Sequence, residues 1–367
     1  MSSRSAAVTR QRPWNRFKPY AAADRFCNIV PASIRDVALH AGVAVGTVSR
    51  VLNDAPGVAA ETRDRVEAAI RTLDYRPNRQ ARALSTGRTH TVGAMVPFFT
   101  HPSAVTRLHG VVEVLETSAY DLVLFNVGTA IHRARHFGRT GVADRVDGLL
   151  LVSLAPTDDE VAHFRAAGVA TVLVDCEHPA LPRVVTDDVE GGRLATQHLL
   201  DLGHRRIGFV GDVADPAGRF VASPRRRSGW SRALATAGLG PAPELQRFAR
   251  HSQADGRAAA EALLDLAEPP SAIFAASDTQ ALGVLAAAEA RGLDVPGDLA
   301  VVGFDDLEIA AHVGLTTVRQ PLQESGLQGA RLLLDALDDA RAEPREVRLE
   351  LELVPRRTTT GDVRSGA

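Results

Sequence analysis

The sequence predicts a small all-α domain with a helix-turn-helix, followed by an α/β core of two lobes that are each built on a parallel sheet. Three observations support this fold class. Between Ser33 and Leu73, apolar residues recur at helical spacing around a glycine turn. After Thr91, short apolar runs alternate with amphipathic helices. The length of 367 residues exceeds one ordinary core and predicts two or three domains.

The helix-turn-helix begins at Ser33, which has the spacing of a capping box with Asp36. Gly42 can adopt a positive φ and therefore predicts the turn between the two helices. In the second helix we expect the inward residues to be Val45, Val48, Val51 and Leu52, and the outward residues to be Thr47, Ser49 and Arg50. Two short helices joined in this way place the second one in the major groove of DNA.

Three further segments complete the N-terminal part of the chain. Residues 1–31 are polar, arginine-rich and aperiodic, so we expect them to be disordered. A third helix is predicted over Glu61–Leu73, which closes a DNA-binding domain at residues 32–77. A short helix capped by Asn78 is predicted to run to Leu84, within a linker that spans residues 78–91.

The core is predicted over residues 92–359, with a tail at 360–367 that shows no heptad repeat. The apolar runs predict strands at Val92–Phe98, Leu122–Val127, Gly148–Leu154, Thr171–Asp175, Ile207–Gly211, Ala272–Ala276 and Ala300–Phe304. Alternation of such runs with helices predicts parallel sheets that are covered on both faces. Gly203 and His204, just before Ile207, are interpreted as the start of the second lobe.

The formal net charge of −2 conceals an uneven distribution. Residues 1–91 contain 15 Lys/Arg and 7 Asp/Glu, whereas the remaining residues contain 27 and 37. A basic N-terminal part (residues 1–91, the head) on an acidic remainder favours contact with phosphates through the head alone. The alternative is that the arginine-rich helices are simply solvated.

The composition also indicates the cellular compartment of the protein. The N-terminus lacks the apolar segment of a secretory signal, and no run of about 18 apolar residues predicts a membrane span. Two cysteines, Cys27 and Cys176, do not form a disulfide framework and fit a reducing environment. We therefore expect a cytoplasmic protein.

Ten strings in a fixed order carry a resemblance to a known family. They are IRDVALHAGV, TVSRVLN, ETRDRVEAAI, YRPNRQARAL, VDGLLL, GHRRIGFVG, AIFAASDTQALG, VPGDLAVVGFDD, LTTVRQP and LVPRRTT. On these strings the chain resembles the lac repressor family of bacterial transcription regulators, from about Ile34 to Thr359. The resemblance implies a homodimeric repressor on a near-palindromic operator, with a core like that of periplasmic sugar-binding proteins.

The family's core implies where the chain passes between the lobes. Lobe 1 is expected at about residues 92–203 and 320–348, and lobe 2 at about 204–319 and 349–359. A small effector is expected in the cleft between the lobes, a sugar first and a purine second. No cofactor is expected.

The second helix supplies the first candidates for DNA contact. Arg50 can reach a guanine edge or a phosphate, while Thr47 and Ser49 suit phosphate oxygens or the rim of a base. The resemblance places Val45 and Gly46 where the family reads bases, and its remaining candidates in this helix are Ala44 and Asn53. Ala44 replaces the family's serine, so a capping hydrogen bond is expected to be missing.

The linker supplies the second set of DNA candidates. The resemblance places Leu84 as an apolar wedge in the minor groove, where partial unstacking of a base step kinks the duplex. Asn78, Ala81 and Arg82 would seat the same helix. The alternative for Leu84 is that it packs against the core like any linker leucine.

Ligands of open α/β lobes bind beyond the carboxyl ends of the strands. The ends of the predicted strands carry Phe98, Ser153, Ser277 and several carboxylates. The resemblance supports Asp187, Arg226 and Asp305 as ligand-binding residues, with Arg225 and Arg227 open as alternatives to Arg226. Asp278 is better interpreted as a helix cap.

The first segment of the expected cleft departs from the family pattern. Relatives carry aromatic residues there that stack on a sugar, whereas this chain has His101, Pro102, Ser103 and Ala104. The stacking partner is therefore expected elsewhere, and the candidates are Phe98, His251 and Phe220.

Other classes of protein are less well supported. His132 and His136 have a spacing that can bind a metal, but no third ligand is predicted nearby. Phosphate-binding glycine loops and a nucleophile elbow are absent from the sequence, so an enzyme is not expected. A secreted sugar-binding protein would share the core but would have no use for residues 33–84. A purine-responsive corepressed regulator and a transcriptional activator of the same family remain alternatives.

Overall fold

The computed structural model describes residues 32–76, 88–97, 99–128, 130–137, 142, 145–214, 220–339 and 343–360. The chain divides into two units, Met1–Arg82 and Ala83–Ala367. Several predictions concern residues outside the described ones. They are the predicted disorder of segment 1–31, the linker candidates Asn78, Ala81, Arg82 and Leu84, the cleft candidate Phe98, and residues 361–367 of the tail.

The first unit contains three helices: α1 (Ile34–Ala41), α2 (Val45–Leu52) and α3 (Ala60–Thr72). The predicted capping box is confirmed, since the Ser33 backbone N–H donates to Asp36 Oδ2 over 2.8 Å while the Asp36 N–H donates to Ser33 Oγ. Gly42 ends α1 with a φ of 63°, as predicted for the turn.

The three helices share a small apolar core that is centred on Val37, Val48 and Val66. The prediction that Val45 faces inward is wrong, because its side chain is 41% exposed. Val45 lies one turn before Val48, at the end of α2 that the apolar cluster does not cover. The outward face of α2 therefore begins with a valine.

Lobe 1 of the second unit is built on a six-stranded sheet with the strand order β11-β5-β4-β3-β1-β2, and all of its pairings are parallel. Its strands are β1 (Thr91–Val96), β2 (Asp121–Asn126), β3 (Gly148–Val152), β4 (Ala170–Val174), β5 (Arg183–Val185) and β11 (Glu346–Arg348). Its helices are α4 (Pro102–Leu115), α5 (Ala130–Phe137), α6 (Asp158–Ala166) and α12 (Leu322–Asp338). Apolar side chains cover both faces of the sheet.

Lobe 2 repeats this plan with the strand order β12-β10-β9-β8-β6-β7. Its strands are β6 (Ile207–Asp212), β7 (Gln246–Ala249), β8 (Ala272–Ala275), β9 (Ala300–Asp305), β10 (Thr316–Arg319) and β12 (Glu352–Val354). Its helices are α7 (Asp188–Asp201), α8 (Ala222–Thr236), α9 (Gln253–Leu264), α10 (Asp278–Ala290), α11 (Glu308–His312) and α13 (Arg357–Thr360), with a 3₁₀ turn at Pro243–Leu245. The β10–β12 pair is antiparallel, which departs from the predicted parallel pairing.

The chain passes between the lobes three times, and the first passage lies earlier than predicted. It follows β5, at residues 186–187, rather than residues 203–204. The reason is packing: Ala195, Leu199 and Leu200 of α7 belong to the apolar core of lobe 2. The later passages follow β10 and β11.

Two glycines, one in each lobe, bring helices close together beside these passages. In lobe 1, a Cβ atom on Gly326 of α12 would lie 1.8 Å from the backbone oxygen of Arg107 in α4. In lobe 2, a Cβ on Gly192 of α7 would lie 2.0 Å from the backbone oxygen of Arg226 in α8. Both contacts demand glycine, and both set the position of an arginine that reaches the cleft.

Within the described part of the chain, no helix is long and apolar enough to span a membrane.

Candidate functional site

The first candidate surface is the outward face of α2. Val45, Gly46 and Arg50 are exposed there, while Thr47 and Ser49 are half-buried. A Cβ atom on Gly46 would meet nothing within 4 Å, so this part of the face is open. The first turn of α2 carries little side-chain bulk, and the exposed guanidinium of Arg50 follows it. This face can therefore approach a base edge or a phosphate.

Two other candidates of this helix lie at its ends. Ala44 is the N-cap and, as predicted, supplies no side-chain hydrogen bond to the first turn. Asn53 is the C-cap, and its Nδ2 donates to the backbone oxygen of Ser49 over 2.9 Å. The exposed amide of Asn53 therefore also stabilises the end of α2.

The second candidate site is a cavity of about 610 Å³ between the two lobes. It lies beyond the carboxyl ends of the strands of both sheets, where open α/β lobes bind ligands. Polar side chains from both lobes line it: His101, Ser103, Arg107, Ser153, Asp175, Asp212, Ser223, Arg226, Arg250, His251, Ser252, Asp255, Asp305 and Gln320. Such a lining suits a ligand with many hydrogen-bonding groups.

Arg226 is the central cation on the lobe 2 side and is 6% exposed. Its Nε donates to Asp188 Oδ1 over 2.8 Å, and its Nη1 donates to the Ala276 carbonyl over 2.6 Å. Nη1 also lies 3.7 Å from Asp305 Oδ1, and the guanidinium carbon lies 3.7 Å from the centroid of the Phe304 ring. The side chain is held by four partners before any ligand enters.

The structure distinguishes Arg226 from its two neighbours in α8. Arg225 pairs with Glu177 across the lobes over 2.6 Å, and Arg227 donates to Gln246 at the surface. Of these three arginines, Arg226 lines the cavity.

The carboxylates around Arg226 are buried, and burial dominates their protonation. Burial raises the pKa of Asp188 to about 6, although the charge of Arg226 opposes this shift. Burial likewise raises the pKa of Asp305, again against Arg226. Burial alone would lower the pKa of Arg226, but Asp188 and Asp305 raise it above its usual range. The cation therefore stays charged at the base of the cleft.

Sequence reasoning missed a second buried cation, Arg107 of α4, which is 4% exposed. Its Nη2 lies 3.1 Å from Asp175 Oδ2 and donates over 3.1 Å to the side-chain oxygen of Gln320. Ser153 Oγ donates to the same Asp175 oxygen over 2.6 Å. The available signal was an arginine on the same face of α4 as the buried Ala104, Leu108 and Val111.

Two predicted ligand-binding residues do not line this cavity. Asp187 is exposed and caps α7, since its Oδ1 accepts from the Val189 and Glu190 N–H groups over 3.1 and 3.0 Å. Ser277 is buried and caps α10 by accepting from the Gln280 N–H over 3.2 Å. The carboxylate that reaches Arg226 is Asp188, the neighbour of the predicted residue.

Asp278 also differs from its predicted role, because the cap of α10 is Ser277. The fully buried carboxylate of Asp278 accepts from the Leu307 N–H over 2.8 Å and from Thr317 Oγ1 over 2.6 Å. Burial and the charge of Asp305 raise the pKa of Asp278 to about 8. Asp278 thus joins α10 to β10 and to the segment that follows β9.

The aromatic wall of the cavity consists of different residues from those of the family pattern. His251 and Phe220 both line it, and so does His101, which was not a predicted stacking residue. The rings of His101 and His251 stack with centroids 4.6 Å apart and planes inclined by 16°.

The described residues contain no group of three His, Cys, Asp or Glu side chains that could hold a metal ion. His136 instead packs beside the Phe125 ring, with centroids 5.3 Å apart. Cys176 is buried, and burial raises the pKa of its thiol to about 12, as expected for an unreactive structural cysteine.

Comparison with protein-family models matches residues 33–78 to bacterial regulatory proteins of the lacI family. Residues 196–359 match the periplasmic binding protein-like domain. The first match falls within the helical unit, and the second spans most of lobe 2 together with α12 and β11 of lobe 1.

Curated relatives extend the similarity over nearly the whole chain. The HTH-type transcriptional regulator CelR of Thermobifida fusca is 37% identical over 331 residues, covering 87% of this chain and 96% of CelR. Catabolite control protein A of Priestia megaterium is 32% identical over 332 residues, covering 89% of this chain and 99% of that protein.

Solved structures are similar over the same length. A complex of the transcriptional regulator CelR with cellobiose matches with a TM-score of 0.66 at 35% identity, covering 89% of this chain and 99% of the other. A lac repressor dimer bound to operator and the anti-inducer ONPF matches with a TM-score of 0.76 at 28% identity, covering 90% and 99%.

Proposed function

Because the chain belongs to the lacI family of bacterial regulatory proteins, we propose that it represses a sugar-utilisation operon and that a small ligand between its lobes controls its operator affinity. The observation that carries the proposal is the polar cavity of about 610 Å³ that both lobes line. A site divided between two lobes can bind a ligand and change the lobe orientation in one step. The setting we propose is the bacterial cytoplasm.

DNA is bound by the outward face of α2. Arg50 is its exposed cation, and Val45 presents an apolar group that suits a thymine methyl. Thr47 and Ser49 lie at the edge of this face and suit phosphates. The wedge residue Leu84 and its neighbours Asn78, Ala81 and Arg82 lie outside the described residues and enter the proposal on the family resemblance.

The effector is a sugar or sugar derivative. Arg226 and Asp305 present a cation and a carboxylate side by side, which together pair the hydroxyl groups of a polyhydroxylated ring. Ser153 and His251 add hydroxyl and imidazole groups from the two lobes. The similarity to a regulator that was solved with cellobiose supports this class of ligand.

A homodimer fits the exposed apolar side chains of lobe 1. Val105 and Val112 lie two turns apart on α4, and Leu124 lies on the edge strand β2. Their exposed fractions are about 40%, which is unusual for a group of aliphatic residues on one lobe. Two-fold symmetry would match two half-sites of an operator.

The test measures, by fluorescence anisotropy, how tightly the full-length protein binds the DNA upstream of its own gene. Cellobiose, ribose and purine bases are added in turn. We expect specific binding that one sugar changes, and we expect Asp305→Asn to bind DNA normally but to lose that change. Asp265→Asn is the matched control, because Asp265 lies at the surface of lobe 2 in a pair with Arg291.

The outcomes separate the parts of the proposal. Loss of specific DNA binding would contradict the regulator itself. A response to a purine base alone would replace the sugar with the alternative effector class. Normal binding with an unchanged response in Asp305→Asn would exclude Asp305 from the ligand site.

A further inference from the structure

Two imidazole rings meet across the cleft between the lobes. His101 directly precedes α4 in lobe 1, and His251 follows β7 in lobe 2. Their centroids lie 4.6 Å apart with 16° between the planes, and both rings line the cavity. Because each lobe contributes one ring, the stack can form only while the lobes are close together.

His251 is held by its own lobe. Its Nδ1 lies 3.3 Å from Asp212 Oδ1, and the same oxygen accepts from Gln280 Nε2 over 3.0 Å. Burial lowers the pKa of His251, but Asp212 and Asp305 raise it above its usual range while Arg226 opposes them. All these charges belong to lobe 2, so His251 keeps its raised pKa when the lobes separate.

His101 experiences the opposite balance. Burial and the charge of His251 lower the pKa of His101, and Asp212 opposes them. The His251 and Asp212 charges belong to the other lobe, so lobe closure brings them to His101. Closure therefore disfavours the protonated form of His101, whereas the surroundings of His251 favour its protonated form.

The stack of His101 on His251 is sensitive to protonation of the second ring. A protonated ring stacked on a neutral ring is attracted to its face, whereas two protonated rings at 4.6 Å repel each other. The other charged groups on the same walls are Arg107 and Asp175 in lobe 1, and Arg250 and Asp255 in lobe 2. Arg107 and Asp175 are paired with each other, so they add little net charge beside His101.

We propose that His101 and His251 form a proton-sensitive latch: the lobes stay closed while His101 is neutral, and they separate when both rings are protonated. Closure disfavours protonated His101, so proton binding favours the open form by linkage. The closed population is therefore expected to fall as the pH drops below about 6.5, the ordinary value for an imidazole. The latch itself does not depend on the proposed function. Only its consequence rests on that function, namely that acid changes the same lobe movement that the effector controls.

The structure provides a matched control for the latch. Arg225 Nη1 lies 2.6 Å from Glu177 Oε1, which makes a second contact between the lobes. An arginine keeps its charge throughout the range in which imidazoles titrate. Removal of this contact should weaken closure at every pH without removing its pH dependence.

The experiment measures the distance between the lobes by electron spin resonance on the full-length protein, without DNA or effector. Spin labels are attached at Asp159→Cys in α6 and Ala254→Cys in α9, which are exposed positions near the helix ends that follow β3 and β7. Cys27→Ser removes one native thiol, and the buried Cys176 does not react because its pKa is raised to about 12. Spectra are compared at about pH 7.5 and about pH 5.5, on either side of the imidazole range.

We expect the distance distribution of the parent protein to shift to longer values at the lower pH. His101→Phe keeps a ring for the stack but cannot be protonated, so it should stay closed at both pH values. Arg225→Gln should retain the shift. An unchanged distance in the parent protein would overturn the latch, and so would a full shift in His101→Phe. Because no DNA is present, either failure would leave the proposed operator binding untouched.

Discussion

Gln320 donates a 2.7 Å hydrogen bond from Nε2 to Asp305 Oδ1, and this contact links a passage between the lobes to the wall of the cleft. The side-chain oxygen of the same amide accepts from Arg107 of lobe 1. Asp305 in turn lies beside Arg226 of lobe 2. A continuous buried chain of polar contacts therefore runs from one lobe to the other through Gln320. We expect a change at either arginine to affect the opposite lobe through this chain.

Replacement of Arg107 tests this chain. Arg107→Met leaves the buried Asp175 without its cation, and loss of one partner of a buried pair costs about 3–5 kcal/mol of unfolding free energy. We also expect it to abolish the effect of the effector on operator affinity. Urea unfolding and operator titration measure the two effects.

Arg133→Met is the matched control for Arg107→Met. Arg133 is equally buried, at 5% exposure, but pairs with Glu160 inside lobe 1. It should lower stability and leave the effector response intact. If both variants keep the response, or both lose it, the chain through Gln320 does not couple the lobes.

Arg50→Ala should weaken binding to the specific operator. A bidentate contact between arginine and guanine contributes about 1–3 kcal/mol of discrimination, so a loss of this size is expected for specific DNA. Arg71→Ala, on the exposed side of α3, removes the same charge from the head and should have a smaller effect. Binding curves on operator and on scrambled DNA make the comparison, and equal losses for the two variants would contradict the role of Arg50.

The buried Asp278 predicts a pH-dependent stability. Its pKa is raised to about 8 in the folded protein, so it retains a proton that the unfolded chain releases near its ordinary value of 3.8. Its contribution to stability is therefore full below about pH 4 and is lost as the pH rises towards about 8, by at most about 1.4 kcal/mol per pH unit.

Asp278→Asn should remove this part of the pH dependence, because an amide does not titrate. Urea unfolding of both proteins between about pH 5 and pH 8 gives the difference. A constant difference in unfolding free energy across that range would show that Asp278 is ionised in the folded protein.

The helical head could be predicted closely because its signals are local. The capping box at Ser33 and the turn at Gly42 each depend on a few neighbouring residues. The same holds for the buried central strands, whose apolar runs mark them directly. Val45 was misplaced because a helical period gives the face of a residue but not the extent of the partner that covers it.

The cleft was less predictable because its contacts join distant parts of the chain. Arg107 and Gln320 are 213 positions apart, and no local pattern pairs them. The short strands β5 and β11 pair with each other although their partners Arg183 and Glu346 are 163 positions apart. Likewise, α7 could be assigned to lobe 2 only from its tertiary packing, in which Ala195 and Leu199 join the apolar core of that lobe.

The close approach of α7 and α8 gives the last prediction. A Cβ on Gly192 would lie 2.0 Å from the backbone oxygen of Arg226, and backbone cannot move aside as a flexible side chain can. Gly192→Ala should therefore push the two helices apart and cost about 1–3 kcal/mol of unfolding free energy, the usual range for overpacking. Because the shift moves Arg226 away from Asp305, the effector should also bind less tightly. Gly240→Ala is the control, since a Cβ there meets nothing within 4 Å. Thermal unfolding and effector titration should show both losses in Gly192→Ala and neither in the control, and a normal effector affinity in a destabilised Gly192→Ala would mean that this helix contact does not position Arg226.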